Sequence, residues 1–171
     1  MKRLIAVTLF IALCLFMLSG CAGKQDGVKE ENGDCSSEEL LCTLSVECKT
    51  AIGKCSEKQD ILPSDGIIYK ETQVAFNEGD TVFDVLRREM QSVKIHLEYS
   101  ITPVYDNAYI EGIGNLYEFD CGELSGWMFR VNGEFPNVGC SELTVNEADR
   151  IEFVYSCDMG GDVGKDRELT S

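Results

Sequence analysis

Gly79-Asp80-Thr81-Val82-Phe83-Asp84-Val85-Leu86-Arg87-Arg88-Glu89-Met90-Gln91-Ser92-Val93 is the stretch on which the fold turns. Gly79-Asp80 ends the extended segment before it. Thr81 is a helix-capping residue type, and Asp84 three positions on supplies the acidic partner of a capping box. Val82, Val85, Leu86, Met90 and Val93 then share one stripe at helical spacing, while Arg87, Arg88 and Gln91 face water. A helix with one apolar stripe needs a sheet to lie on.

On both sides the period changes to two. Cys42, Leu44, Val46 and Cys48 alternate with Thr43, Ser45 and Glu47, which predicts a half-buried strand. Lys49 to Lys58 reads as a short helix or loop, Pro63-Ser64-Asp65-Gly66 as a turn, and Ile67 to Phe76 as a strand with imperfect alternation. After the helix, Ile95, Leu97, Tyr99 and Ile101 alternate with His96, Glu98 and Ser100 until Pro103 stops the strand. Tyr109 to Ile113 is a further short strand, and Asn115 to Gly126 a structured loop around Cys121. Trp127, Phe129 and Val131 lie on one face of a strand that ends in Asn132-Gly133, a pair suited to the positive φ angles of a tight hairpin, with a return strand reaching Pro136. A last strand carries Ile151, Phe153, Tyr155 and Cys157 inward and Glu152, Val154 and Ser156 outward. The class is α+β: one main helix on a small mixed sheet with hairpins.

The N-terminus has a different character. Lys2 and Arg3 precede an apolar run from Leu4 to Leu18 broken only by Thr8, and the run closes on Leu18-Ser19-Gly20-Cys21. This is the layout of a signal peptide, and the run is shorter than the roughly 20 residues a spanning helix needs. Leu-Ser-Gly-Cys resembles the bacterial lipobox, which implies cleavage before Cys21 and lipidation of its thiol, leaving a lipoprotein held at the outer face of the cell membrane. The expected organisation is a signal peptide at 1–20, a flexible tether at 21–39, one domain at 40–158, and a mobile polar tail at 159–171.

The chain has 15 basic and 30 acidic residues, and loss of Lys2 and Arg3 with the signal moves the formal charge from -15 to -17. Such a surface is repelled by phosphate backbones, so nucleic-acid partners are excluded. Seven cysteines remain beyond Cys21: Cys35, Cys42, Cys48, Cys55, Cys121, Cys140 and Cys157. In an exported protein they are disulfide candidates whose pairing the spacing leaves open, with one thiol left over. On a straight strand Cys42 and Cys48 stand about 20 Å apart and do not pair with each other. No Cys-x-x-Cys pair is present and His96 is the only histidine, so no metal site is expected.

Three blocks carry a family likeness. They are Glu78-Gly79-Asp80-Thr81-Val82-Phe83-Asp84-Val85-Leu86, then Tyr109-Ile110-Glu111-Gly112-Ile113, then Leu124-Ser125-Gly126-Trp127-Met128-Phe129-Arg130-Val131-Asn132-Gly133. With the closing Asp149-Arg150-Ile151-Glu152-Phe153-Val154-Tyr155, they resemble the transcobalamin-like C-terminal domain. The resemblance implies a β-grasp-like domain of the soluble-ligand-binding type, often found in surface lipoproteins. In vitamin B12 carriers the similar domain closes over a corrinoid held by a helical barrel. Cobalamin or a related corrinoid is therefore the candidate ligand, and no cofactor is required. One position departs: the family has Gly-Asp before the last strand where this chain has Ala148-Asp149. Alanine in a positive-φ turn costs about 1 kcal/mol, so a differently shaped turn is expected there.

The candidate ligand contacts are Leu124, Ser125, Gly126 and Trp127, because glycine permits close approach and tryptophan offers a flat apolar face with a donor. Trp127 also alternates with Phe129 and Val131, and on that pattern alone the reading as a core residue is the stronger one. Tyr105, Tyr109 and Tyr117 are a candidate aromatic patch, though tyrosines scattered at strand edges are ordinary, and Asp158 and Asp162 read as solvated. His96 on a polar strand face, with no Gly-x-Ser-x-Gly elbow, gives no catalytic set, and no enzyme is expected. Two functions stay open: capture of a small molecule for a membrane partner such as a transporter, or an extracellular protein-interaction or adhesion module.

Overall fold

The computed structural model describes residues 39–102 and 107–165. They belong to the contact unit Ser37–Ser171; the other unit, Met1–Ser36, lies outside the described residues. So do the expected signal peptide, Cys21, all of the tether but residue 39, Cys35, Pro103 and Tyr105. Among the described residues no helix is long and apolar enough to cross a membrane.

The architecture is α+β, with two sheets where one was expected. Strands β1 (Leu41–Glu47), β2 (Ile67–Ala75), β6 (Gly126–Val131) and β7 (Arg150–Ser156) form a four-stranded sheet in the order β2-β1-β7-β6. Strands β3 (Leu97–Thr102), β4 (Asn107–Ile113) and β5 (Leu116–Tyr117) form a three-stranded sheet in that order. At the centre of the first sheet β1 and β7 run parallel, pairing Thr43 with Arg150 through Glu47 with Val154. Its other pairs, β1 with β2 and β6 with β7, are antiparallel.

Helix α1 (Val82–Val93) forms as its sequence dictates. Thr81 Oγ1 accepts from Asp84 N–H and the Asp84 carboxylate accepts from Thr81 N–H, which satisfies two orphan donors. Val82, Val85, Leu86 and Met90 are buried, joined by Phe83, whose ring meets Tyr99 edge-on at 4.7 Å. Val93, expected on the apolar stripe, is exposed instead, because the chain leaves the helix there through Lys94 in the left-handed region. The stripe shares one core with Leu44, Val46, Ile151 and Phe153 from the first sheet and Ala108, Ile110 and Ile113 from the second. A smaller core of Cys48, Ala51, Cys55, Leu62, Leu116 and Tyr155 fills one end.

Three local expectations change. Asn132 and Gly133 do take positive φ, but the return strand shrinks to one bridge from Val131 to Glu134, and β7 supplies the ladder beside β6. The alternation in β7 places Glu152, Val154 and Ser156 outward, yet Ile151 through Ser156 are all buried, since the strand lies between two others with both faces covered. Residues 161–163, assigned to a mobile tail, form a 3-10 turn tied to β7: Asp162 accepts from Ser156 Oγ (2.6 Å), Cys157 N–H (3.0 Å) and Lys54 Nζ (3.2 Å). Burial works to raise the Asp162 carboxyl, but these donors outweigh it and hold it below the usual range.

The turn before β7 keeps its left-handed form despite the substitution: Ala148 has φ 63°. Asn146 N–H donates to Asp149 Oδ2 (2.8 Å) and Ala148 N–H to Leu41 O (2.8 Å), so the surroundings impose the conformation. Ala148→Gly is expected to raise stability by about 1 kcal/mol, read as an upward shift in thermal unfolding. A lower melting temperature would mean the turn is not left-handed in solution.

Candidate functional site

The loop from Tyr117 to Gly126 folds back on itself through short-range bonds. Phe119 N–H donates to Ser125 O (3.0 Å), Ser125 N–H to Gly122 O (2.9 Å), and Tyr117 N–H to Asp120 Oδ2 (2.7 Å). Ser125 is buried, and its hydroxyl accepts from Cys121 N–H (3.1 Å) and donates to Gly122 O (2.7 Å). Tyr155 Oη, rising from the core strand, lies 2.7 Å from Tyr117 O and 3.0 Å from Ser125 Oγ. The Cys55–Cys121 disulfide fixes the loop's far side to the turn after β1.

That framework presents an open groove of about 300 Å³ whose walls include Leu124, Ser125, Gly126, Trp127, Phe119 and Met159. Large apolar side chains crowd its rim: Phe119 is 62% exposed, Met159 65%, Leu124 51% and Tyr109 50%. Phe119 and Met159 both occupy the left-handed region, at φ 67° and 47°, where bulky residues are outliers. Strain of this kind persists only where neighbours impose it, and it concentrates at binding sites. Here Met159 N–H is held by Leu124 O at 3.0 Å, which draws the two sides of the rim together. At Gly160 an added Cβ would meet Lys165 Cβ at 2.8 Å and Met128 Sδ at 3.1 Å, so glycine is required for the chain to pass under the groove.

All four predicted contacts therefore line one cavity, with divided roles. Leu124 and Gly126 face it. Ser125 is spent on the loop's own bonds. Trp127 combines both of its readings: half-buried, it packs edge-on against Tyr155 at 5.2 Å and donates Nε1–H to Leu116 O (2.9 Å), while its ring forms part of the groove. Its indole donor is used internally, so what it offers a ligand is apolar surface. Of the proposed tyrosine patch, Tyr109 lines the groove and hydrogen-bonds Glu118; burial and that carboxylate push its phenol up to about 12. Tyr117 lies instead beside Lys58 and His96. Phe119 and Met159 were missed because no period marks them; the signal available was a bulky residue beside a glycine or a bonded aspartate at a chain reversal.

The cysteines resolve differently from expectation. Among the described residues one disulfide forms, Cys55–Cys121, while Cys42, Cys48, Cys140 and Cys157 are free thiols. Cys42, Cys48 and Cys140 are buried, and burial is the main influence pushing each thiol up to about 11. At neutral pH they are protonated core side chains rather than nucleophiles. Among the described residues no group of three or more His, Cys, Asp or Glu side chains could hold a metal ion.

Residues 79–156 match the family described as Domain of unknown function (DUF4430). No curated protein matches the chain. Among solved structures, haptocorrin in complex with Cbi superposes with a TM-score of 0.51 at 14% identity, covering 81% of this chain and 27% of that one. A candidate metal binding protein from Ruminococcus gnavus gives a TM-score of 0.43 at 14% identity, over 69% of this chain and 97% of that one. The chain thus spans about a quarter of haptocorrin's length, and at this identity the likeness is one of fold. The chain carries a DUF4430 domain match over residues 79–156 within a transcobalamin-like fold.

Proposed function

We propose that this chain is an exported lipoprotein, anchored through Cys21, whose β-grasp-like domain captures a small molecule without chemical conversion. The observation that carries the reading is the rim of Phe119, Leu124, Met159 and Tyr109, exposed around a groove floored in part by Trp127. Large apolar side chains gathered at one concavity mark a binding surface. The groove is open and shallow, so it suits one face of a flat, mostly apolar molecule. A corrinoid is the candidate that the haptocorrin-like fold favours, with a second protein, such as a membrane transporter, covering the other face.

Trp127 is the chain's single tryptophan, so its emission reports on this groove alone. Titrating the lipid-free protein with cobalamin or cobinamide is expected to quench that emission to saturation. Leu124→Ala and Phe119→Ala are each expected to weaken binding about tenfold, the consequence of losing one buried apolar side chain. A linear, unsaturable response with both corrinoids would remove them as ligands. Mass spectrometry of the mature N-terminus tests the anchor, and an unmodified Cys21 would overturn it.

A second reading rests on the protrusion of Phe119 and Met159, which stand out from the surface as a docking rim would. In that case the same variants abolish cross-linking to a surface protein and corrinoids have no effect.

A further inference from the structure

A second concavity lies away from the Trp127 groove, between the flank of α1 and the start of β3. It has a volume of about 490 Å³, and its lining includes Arg87, Gln91, Lys94, His96, Leu97 and Tyr99. Arg87, Gln91 and Lys94 follow one another at i, i+4 and i+7, so they form a single row down the helix. Among the described residues no acidic one lines the cavity, in a chain that carries twice as many acidic as basic residues. Two carboxylates stand nearby: Asp84 pairs with Arg87 at 3.1 Å, and Glu98 lies 3.1 Å from His96. The His96–Glu98 contact joins exposed side chains, whereas in the Asp84–Arg87 pair the carboxylate is one-third exposed and also caps the helix; each contact is worth at most about 1 kcal/mol. Among the described residues no ion pair holds Lys94, which the left-handed φ of 61° places at the corner where helix becomes strand.

Beside this cationic row runs a free strand edge. Strand β3 closes one side of the three-stranded sheet and pairs only with β4, from Leu97 opposite Ile113 to Thr102 opposite Asn107. Its other edge therefore presents backbone N–H and C=O groups with no partner strand among the described residues, a ready template for an added strand. At its far end Ile101 is exposed, an apolar contact beyond the charged end.

We propose that this edge takes an extended acidic peptide, which joins the sheet beside β3 and lays its carboxylates against Arg87, Lys94 and His96. The backbone supplies the pairing and the cationic row selects by charge. This site is separate from the Trp127 groove and has a different ligand class, so it stands whether or not a corrinoid binds.

The test uses the full chain and capped peptides of alternating valine and glutamate, the lysine counterpart, and the glutamate peptide N-methylated at alternate residues. Hydrogen exchange is followed amide by amide. The glutamate peptide is expected to protect amides within Leu97–Thr102, and the lysine peptide and the N-methylated peptide are expected not to. Neutralising both charges, Arg87→Gln with Lys94→Gln, is expected to weaken binding about tenfold with Trp127 emission unchanged and only a small fall in thermal unfolding, since Arg87 also pairs with Asp84. Equal binding of the glutamate and lysine peptides would overturn the proposal. So would undiminished binding of the N-methylated peptide, which would show carboxylate capture without strand pairing, or protection confined to other strands.

Discussion

Replacing Cys55 and Cys121 together by alanine is expected to lower the unfolding free energy by about 4 kcal/mol, a large share of the roughly 5–15 kcal/mol margin of a domain. The two residues stand 66 apart in sequence, and opening a loop of that size returns conformational freedom to the unfolded chain. Urea denaturation of the oxidised protein against the double variant measures it, and the wild type in reductant should fall by a similar amount. A functional effect should accompany the loss. Cys121 anchors the loop that holds Phe119 and Leu124, so its release is expected to blunt any ligand response at Trp127 even where the fold survives. A drop below about 1 kcal/mol would show instead that the Ser125–Tyr155 hydrogen bonds hold the loop unaided.

A second large effect is expected at Arg130. Glu152 is only 3% exposed in the middle of the first sheet, and Arg130 meets it with two parallel bonds, Nε–H to Oε2 and Nη2–H to Oε1, each 2.9 Å. Arg150 adds a third contact, Nη1 at 2.6 Å from Glu152 Oε2, but it is half exposed and shared with Glu71. Arg130→Met strips the bidentate partner from a buried carboxylate and is expected to cost about 3 kcal/mol, near the lower end for such breaks because Arg150 remains. Combining it with Glu152→Leu removes the stranded charge and is expected to recover most of the loss. Chemical denaturation of the two single variants and the double variant gives the coupling. If Arg130→Met alone costs under about 1 kcal/mol, Arg150 is sufficient and the bidentate pair is redundant.

What could be read from residue order was what is local. The α1 cap is written in Thr81 and Asp84, and β1 in the alternation of Cys42, Leu44 and Val46, because each depends on residues a few positions apart. Burial of β7 on both faces depends on which strands lie beside it, and period two carries no such information. Pairing of Cys55 with Cys121 was equally hidden, since it depends on where the loop before β6 comes to rest. The candidate site was half legible. Leu124 to Trp127 stood out through glycine and tryptophan, whereas Phe119 and Met159 sit at the rim on left-handed backbone that no sequence period announces.

The parallel ladder between β1 and β7 sets the order of events in making this domain. Strand β1 finds its central neighbour more than a hundred positions downstream, so while the chain emerges from its N-terminus, Leu44 and Val46 lack half of their eventual cover. The hairpin of β1 with β2 and helix α1 are built from nearer neighbours and can form early. The core is sealed only when Arg150–Val154 slides in beside Thr43–Glu47. Folding of this domain therefore finishes only after Val154 has been released, and truncation anywhere before Arg150 should yield an aggregation-prone product rather than a smaller working module.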